Sequence, residues 1–153
     1  MDHEDAAFVC RHEGPHGRSA LTVEGAGEAW LLRAESPFGT ETIRFDGAEQ
    51  VRGFARAVLD LPPRAEPYEY ELELSRTDDA GRTHLATLLI GREASDGFQP
   101  YIQYQSFYET GAATGLGMSV DCEELDAERL HAEARGLLRA CPEPDRAHPS
   151  PGA

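Results

Sequence analysis

Thiol and imidazole groups near the start of this 153-residue chain come closest to a metal-binding pattern. Cys10, His12 and His16 follow His3, and zinc prefers thiolate and imidazole ligands. The spacing Cys-x-His-x-x-x-His has no second paired ligand motif of the kind that structural zinc sites usually carry. The pattern therefore favours a segment without a metal or cofactor, with a zinc site as the alternative.

Nucleophilic catalysis would need a serine or cysteine together with a histidine and an orienting carboxylate. Ser119 lies in the run Gly117-Met118-Ser119-Val120-Asp121, which lacks the second glycine of a nucleophile elbow. The glycine clusters fall between predicted strands and lack the following helix that a phosphate-binding loop requires. We therefore predict that the chain is not an enzyme.

Three glutamates occupy one side of a predicted strand. From Tyr68 to Leu74 apolar and acidic residues alternate strictly, which places tyrosines and leucines on one face and Glu69, Glu71 and Glu73 on the other. Same-face residues of a strand lie about 7 Å apart, so these carboxylates repel one another. Folding does not require glutamate at these positions, and the row therefore predicts a cationic partner.

A later strand, predicted from Phe98 to Tyr108, is rich in aromatic residues and glutamine. Tyr101 and Tyr104 are candidates to anchor a protein partner or to stack on nucleic-acid bases. Base stacking needs a basic groove, whereas the charge next to these aromatic residues is Glu109. We therefore add Tyr101, Tyr104 and Glu109 to the predicted partner-binding residues, with core packing of at least half of the aromatic residues as the alternative.

The charge balance narrows the choice of partner. The chain has 28 acidic and 14 basic residues, a formal net charge of -14. Such a charge disfavours contact with nucleic-acid phosphates or anionic lipid and speeds encounter with a basic protein. We expect a basic protein partner, no nucleic acid and no membrane, with an acidic surface that serves only solubility as the alternative.

Cysteine usage and the start of the chain bear on location. The three cysteines have no paired spacing, which argues against a disulfide scaffold and favours a reducing compartment. The first residues are acidic and lack the basic start and apolar run of a secretory signal. We therefore expect a cytoplasmic protein.

The order of predicted elements is strands then a helix, twice over. Short apolar runs separated by turns precede a helix that a capping-box pattern, Asp46-Gly47-Ala48-Glu49, would begin and Pro62 would end. The run from Thr83 to Ile90 is apolar on both faces and predicts a central strand. Pro100 fits an edge strand or the start of a strand. A last helix is predicted from Asp121 or Asp126 to Cys141.

Short turns with two helices favour the α+β class: an antiparallel β-sheet meander with two amphipathic helices packed on one face. The repeated order indicates a weak internal duplication. The predicted domain covers residues 1–141, and the proline-rich segment 142–153 is predicted to be disordered because it has no apolar content to fold with.

This order of elements, with Trp30 in an early strand and a final strand and helix from Gly115 to Leu138, resembles the small immunity proteins of bacterial polymorphic-toxin systems. The wall-associated-toxin immunity type of high-GC bacteria is the most similar, over roughly residues 20–141. The resemblance implies a protein that binds and blocks a cognate toxin, and it carries over no residue-level inhibitory motif.

Two alternatives stay open on the sequence alone. One is a small-molecule-binding or enzymatic domain with a pocket between sheet and helices, lined by Trp30, Tyr104 and His84. The other is a nucleic-acid-binding module of the Pur-repeat kind, which the duplicated strand-then-helix order favours and the net charge opposes.

Overall fold

The computed structural model describes residues 6–62, 66–77, 83–92, 99–110 and 113–142, of which 76–77, 108–110 and 113–116 are described by their backbone only. In chain order the elements are β1 (Phe8–Gly14), β2 (Gly17–Ala26), β3 (Ala29–Ser36), β4 (Gly39–Arg44), α1 (Ala48–Leu59), β5 (Tyr68–Thr77), β6 (Thr83–Arg92), β7 (Pro100–Thr110), β8 (Ala113–Cys122) and α2 (Ala127–Ala140).

The strands form two antiparallel four-stranded sheets, sheet A in the order β1-β2-β3-β4 and sheet B in the order β5-β6-β7-β8. Each sheet is a meander followed by one helix, so the strand-then-helix order occurs twice. The predicted α+β class with antiparallel pairing is confirmed. Whereas the sequence pattern indicated one sheet, the strands divide into two, since α1 intervenes between β4 and β5 and these strands approach each other without pairing.

Sheet B has the internal order that its sequence predicted. Strand β6 pairs with β5 on one side and β7 on the other over its full length, which confirms it as a central strand. Pro100 is the first residue of β7, a position where a strand tolerates proline. The β7–β8 register shifts between Ser106 and Phe107, and the Ser106 hydroxyl accepts the backbone N–H of Met118 at 3.0 Å.

Helix α1 turns its apolar side toward the core. Val51, Phe54 and Val58 are buried, and the Phe54 ring meets Phe8 of β1 edge-on with centroids 5.1 Å apart. The ring of Phe45, which follows β4, lies 6.3 Å from that of Phe54. The helix that the sequence predicted most directly thus packs on sheet A through an aromatic cluster.

The predicted capping box at the start of α1 is wrong. The helix is capped by Gly47 with no side-chain bond, and the backbone N–H of Asp46 donates to Gln50 Oε1 at 2.7 Å. Asp46 lies one residue too early to cap the helix, and Glu49 contacts the Arg52 guanidinium at 2.5 Å instead of reaching back. The Glu49 carboxylate therefore binds the buried guanidinium of Arg52, one turn along the helix, and not the backbone N–H group that it would bind in a capping box.

Helix α2 begins after Asp126, the later of the two starts that the sequence predicts. The Asp126 carboxylate accepts the backbone N–H of Glu128 at 3.0 Å and caps the helix. Further along, Glu133 Oε1 accepts the backbone N–H of Val9 at 2.9 Å, so that α2 covers an edge of sheet A at β1. Satisfying an edge donor in this way removes a site at which another strand could pair.

One buried cluster contains apolar residues of both sheets and both helices, among them Leu32, Val58, Ile90 and Leu137. Within the described ranges, neither helix has the length and apolar composition that a bilayer crossing requires. Residues 143–153, which make up nearly all of the segment predicted to be disordered, lie outside the described residues.

Candidate protein-docking face

Sheet B has one face in the core and one face toward solvent. On the solvent side, here called the open face, every described side chain is exposed or half-buried. The cross-strand register places these residues on it: Glu69, Glu71, Glu73 and Ser75 of β5, Leu85, Thr87 and Leu89 of β6, Tyr101, Gln103, Gln105 and Phe107 of β7, and Ser119 and Asp121 of β8.

The opposite side of β5 explains why the glutamates point outward. The Tyr68 hydroxyl donates to the Ala57 backbone carbonyl of α1 at 2.8 Å, and burial raises the pKa of that hydroxyl. The Tyr70 hydroxyl lies against Gly53 of the same helix, where an added Cβ would come within 3.6 Å of it. Because side chains alternate along a strand, anchoring the tyrosines on α1 directs the glutamates away from it.

The carboxylates of Glu69, Glu71 and Glu73 are exposed and unneutralised. Among the described residues, no ion pair or side-chain hydrogen bond engages any of the three, and no basic side chain lies on the open face. The row extends roughly 14 Å along β5 at the usual rise of an antiparallel strand. The arginine side chains that the structure describes therefore do not cover this acidic edge of the face.

Apolar and aromatic side chains fill the middle of the open face. Leu85, Leu89 and Phe107 are half-buried there, next to the acidic edge. Tyr101 lies across Gly91 of β6, where an added Cβ would come within 2.5 Å of the tyrosine hydroxyl oxygen. A ring lying over a glycine fills the space that a missing side chain leaves on a sheet, and the tyrosine is held beside the leucines.

The far edge of the open face carries one more carboxylate. Asp121 of β8 accepts a hydrogen bond from Gln103 Nε2 of β7 at 2.7 Å. This bond orders both side chains and leaves the negative charge in place, because an amide donor does not neutralise a carboxylate. The face thus has an apolar and aromatic centre between two acidic edges.

The structure separates the residues that the sequence predicted to bind a partner. Glu69, Glu71, Glu73 and Tyr101 lie together on the open face. Tyr104 does not: it is 1% exposed, and its hydroxyl donates to Glu41 Oε1 of β4 at 2.5 Å. The prediction that Tyr104 touches a partner is wrong, because position 104 alternates with 101, 103 and 105 and faces the core.

The side chain of Glu109 lies outside the described part of the chain. Conversely, sequence reasoning missed Leu85, Leu89 and Phe107. The run from Thr83 to Ile90 is apolar on both faces, and that pattern predicts a central strand without indicating a docking surface. An apolar pattern of this kind is ambiguous, because a central strand beside an aromatic strand can also carry leucines on a half-exposed docking face.

The other predicted sites do not assemble. No three His, Cys, Asp or Glu side chains within the described residues converge as metal ligands; Cys10 is buried, and the His16 ring lies 6.0 Å from that of Phe38. A cleft of about 320 Å³ lies between β1 and the start of α2 and is lined by none of the residues predicted to form a pocket, Trp30, Tyr104 and His84.

Replacing Tyr104 with phenylalanine tests its structural role. Tyr104→Phe should lower the free energy of unfolding by about 1–3 kcal/mol, since it removes a hydrogen bond to a carboxylate in a buried setting. Tyr70→Phe is the matched control, because its hydroxyl has no described hydrogen bond. Urea denaturation measures both, and equal losses would show that the bond between Tyr104 and Glu41 does not stabilise the fold.

No family model matches the sequence, and none of the curated proteins matches it either. The open face, with its carboxylates and its half-buried aromatic residues, is therefore the observation from which a function can be inferred.

Proposed function

We propose that this protein is a non-enzymatic inhibitor, of the immunity or antitoxin kind, that docks the open face of sheet B onto a basic protein partner. The observation that carries the proposal is the exposed row of Glu69, Glu71 and Glu73, which form no ion pair among the described residues, beside half-buried apolar side chains. A partner with a cationic cleft, such as a toxin that binds a polyanionic substrate, has the complementary charge.

Electrostatic steering is the first step of the proposed mechanism. A net charge of -14 attracts a cationic partner from a distance, and the acidic row orients its approach toward β5. Exposed charges at the rim of an interface act mainly on the association rate and are screened by salt. The glutamates therefore speed and direct encounter more than they hold the complex together.

Burial of the centre of the face is the second step. Tyr101 and Phe107 are aromatic residues, and half-buried aromatic side chains can become fully desolvated when a partner covers them. Leu85 and Leu89 lie beside them and would contribute apolar area. Once the centre is covered, the partner's cleft is occluded, which is sufficient for inhibition without any chemical step.

A charge-neutral triple variant tests the steering step. Glu69→Gln, Glu71→Gln and Glu73→Gln together should slow association with a purified basic protein that the wild-type chain binds and inhibits, at least about tenfold at low ionic strength. The variant should also flatten the dependence of that rate on salt. The matched control, Glu28→Gln, Glu123→Gln and Glu128→Gln, removes three exposed charges elsewhere. Stopped-flow kinetics showing equal rates for the two triple variants would exclude the acidic row as the docking edge.

Single alanine variants test the centre of the face. Tyr101→Ala and Phe107→Ala should each raise the dissociation rate from the same basic protein about 30-fold, the effect of losing a hot-spot side chain worth about 2 kcal/mol. Phe38→Ala is the control, because this side chain is 82% exposed in the turn between β3 and β4 and lies outside the open face. Surface plasmon resonance measures the rates, and an unchanged rate for both test variants contradicts docking through this centre.

A nucleic-acid-binding module of the Pur-repeat kind is the second candidate, and the repeated unit of a four-stranded meander plus a helix favours it. The acidic edges of the open face oppose it, because phosphates would meet uncompensated carboxylates there. In a gel-shift assay at low salt, we expect no retention of single-stranded DNA or RNA by micromolar protein. Retention that the triple glutamine variant strengthens would favour this second candidate over inhibition.

A further inference from the structure

Two cysteines from opposite halves of the chain meet in the core. Cys10 lies on β1 in the first half and Cys122 ends β8 in the second. Both are free and buried, at 5% and 0% exposure. The third cysteine, Cys141, lies apart from them and contacts Arg52 and Ala48 of α1.

The arrangement of the sheets brings these two cysteines together. Strand β8 lies close to β1 and β2, and these contacts join sheet B to sheet A at that edge. Cys10 pairs across the ladder with the buried Leu21, and Cys122 pairs with the buried Ile102, so each thiol points toward the core from its own sheet. Strand β1 contacts β8, and the side-chain hydrogen bond with Cys122 that raises the pKa of the Cys10 thiol places the two buried side chains next to each other.

We infer that Cys10 and Cys122 form a disulfide that cross-links the two halves of the fold when a small hydroperoxide reaches them, and that this bond is absent under reducing conditions. Either thiol can accept the first oxidation only if the oxidant reaches the core. Cys10 lines the cleft of about 320 Å³ between β1 and the start of α2, together with Arg11 and Arg129, and so has the shorter path to solvent.

The chemistry balances with hydrogen peroxide as the oxidant. The Cys10 thiolate attacks one peroxide oxygen, the O–O bond breaks, and Cys10 becomes a sulfenic acid as the first water leaves after protonation. The Cys122 sulfur then attacks the Cys10 sulfur, the S–O bond breaks, and a second water takes the hydroxyl group and the remaining proton. Two thiols are oxidised and one peroxide is reduced to two waters.

The surroundings of Cys10 make this reaction slow, so that the cross-link forms only under oxidative stress. Hydrogen bonding with Cys122 and burial raise the pKa of the Cys10 thiol, and the nearby Glu133 carboxylate acts in the same direction. Because the thiolate is the nucleophile, a raised pKa keeps the reactive fraction small at neutral pH. In a reducing compartment, the pair therefore stays as two thiols.

The cross-link would stabilise the fold without altering the open face. A bond between positions 10 and 122 closes a loop that includes both sheets, and closing a long loop restricts the unfolded chain most strongly. Both cysteines face the core, whereas the open face carries the opposite residues of sheet B. The inference is therefore independent of the proposed inhibitory function.

The experiment treats the folded full-length chain with hydrogen peroxide and follows it by intact mass, thiol titration and peptide mapping. We expect a loss of two hydrogen atoms, one remaining thiol, and a linked peptide pair containing Cys10 and Cys122. The thermal midpoint should rise by about 5–10 °C, and dithiothreitol should reverse the change. Cys141→Ser should form the same cross-link and retain no free thiol.

Three results would overturn the inference. The first is a link that includes Cys141, the second is added oxygen at Cys10 with no cross-link, and the third is unchanged mass under conditions that oxidise the urea-unfolded chain. Cys10→Ser and Cys122→Ser should each abolish the two-hydrogen loss. Because these core variants can lose stability, circular dichroism verifies their fold, and the Cys141→Ser chain provides the decisive test if they do not fold.

Discussion

One-sided burial of strand β5 is the constraint on which the open face depends. Its tyrosines are fixed on α1 by the Tyr68 hydrogen bond to Ala57 and by the contact of Tyr70 with Gly53. A shift of one residue in the β5–β6 register would bring the glutamates into the core, where an unpaired carboxylate is strongly unfavourable. Burial of the apolar side of β5 therefore determines where each of the three glutamates lies on the surface. No contact of the carboxylates themselves is needed for this placement.

Polar bonds between the two halves then hold sheet B in its orientation. Gln50 of α1 donates to the Glu73 backbone carbonyl at 3.1 Å while accepting from Asp46, and so joins the edge of sheet B to the start of the helix. Tyr104 reaches Glu41 across the sheets, and the buried Arg52 donates to the carbonyl of Pro142 at 2.9 Å, just beyond α2. The bonds of Tyr104 and Arg52 satisfy polar groups that would otherwise be costly to bury, and together with the exposed Gln50 bond they favour one arrangement of the halves over others.

Local patterns predicted the parts of the fold that local physics determines. The apolar spacing of α1, the alternation along β5, the central position of β6 and the start of α2 after Asp126 all follow from periodicity or capping chemistry, and the structure has each of them. The α+β class followed from the number and order of these elements. Two predictions failed: the strands divide into two sheets and not one, and at the start of α1 Arg52 competes for Glu49, so the capping box does not form.

The composition of the candidate face was only partly predictable. The acidic row was visible because alternation determines which residues share a face, but Tyr104 was placed with Tyr101 although the two differ in parity along β7. Strict use of the two-residue period would have separated them. The half-buried leucines could not be recognised, because which side of a doubly apolar strand is covered depends on the packing of α1 and the other sheet, and no short stretch of sequence contains that information.

The same carboxylates that favour a basic partner also oppose pairing between two copies of this chain. An exposed sheet face with Leu85, Leu89 and Phe107 at its centre is otherwise a surface on which copies could stack. Face-to-face stacking would bring two acidic rows and two Asp121 carboxylates together, and like charges at close range cost free energy that the apolar contact would have to exceed. A cationic partner meets no such cost, since each carboxylate that it covers gains an opposite charge. Repulsion of identical copies and the proposed attraction of a basic protein therefore have one physical origin, the acidic edges of a sheet whose apolar centre is left partly uncovered.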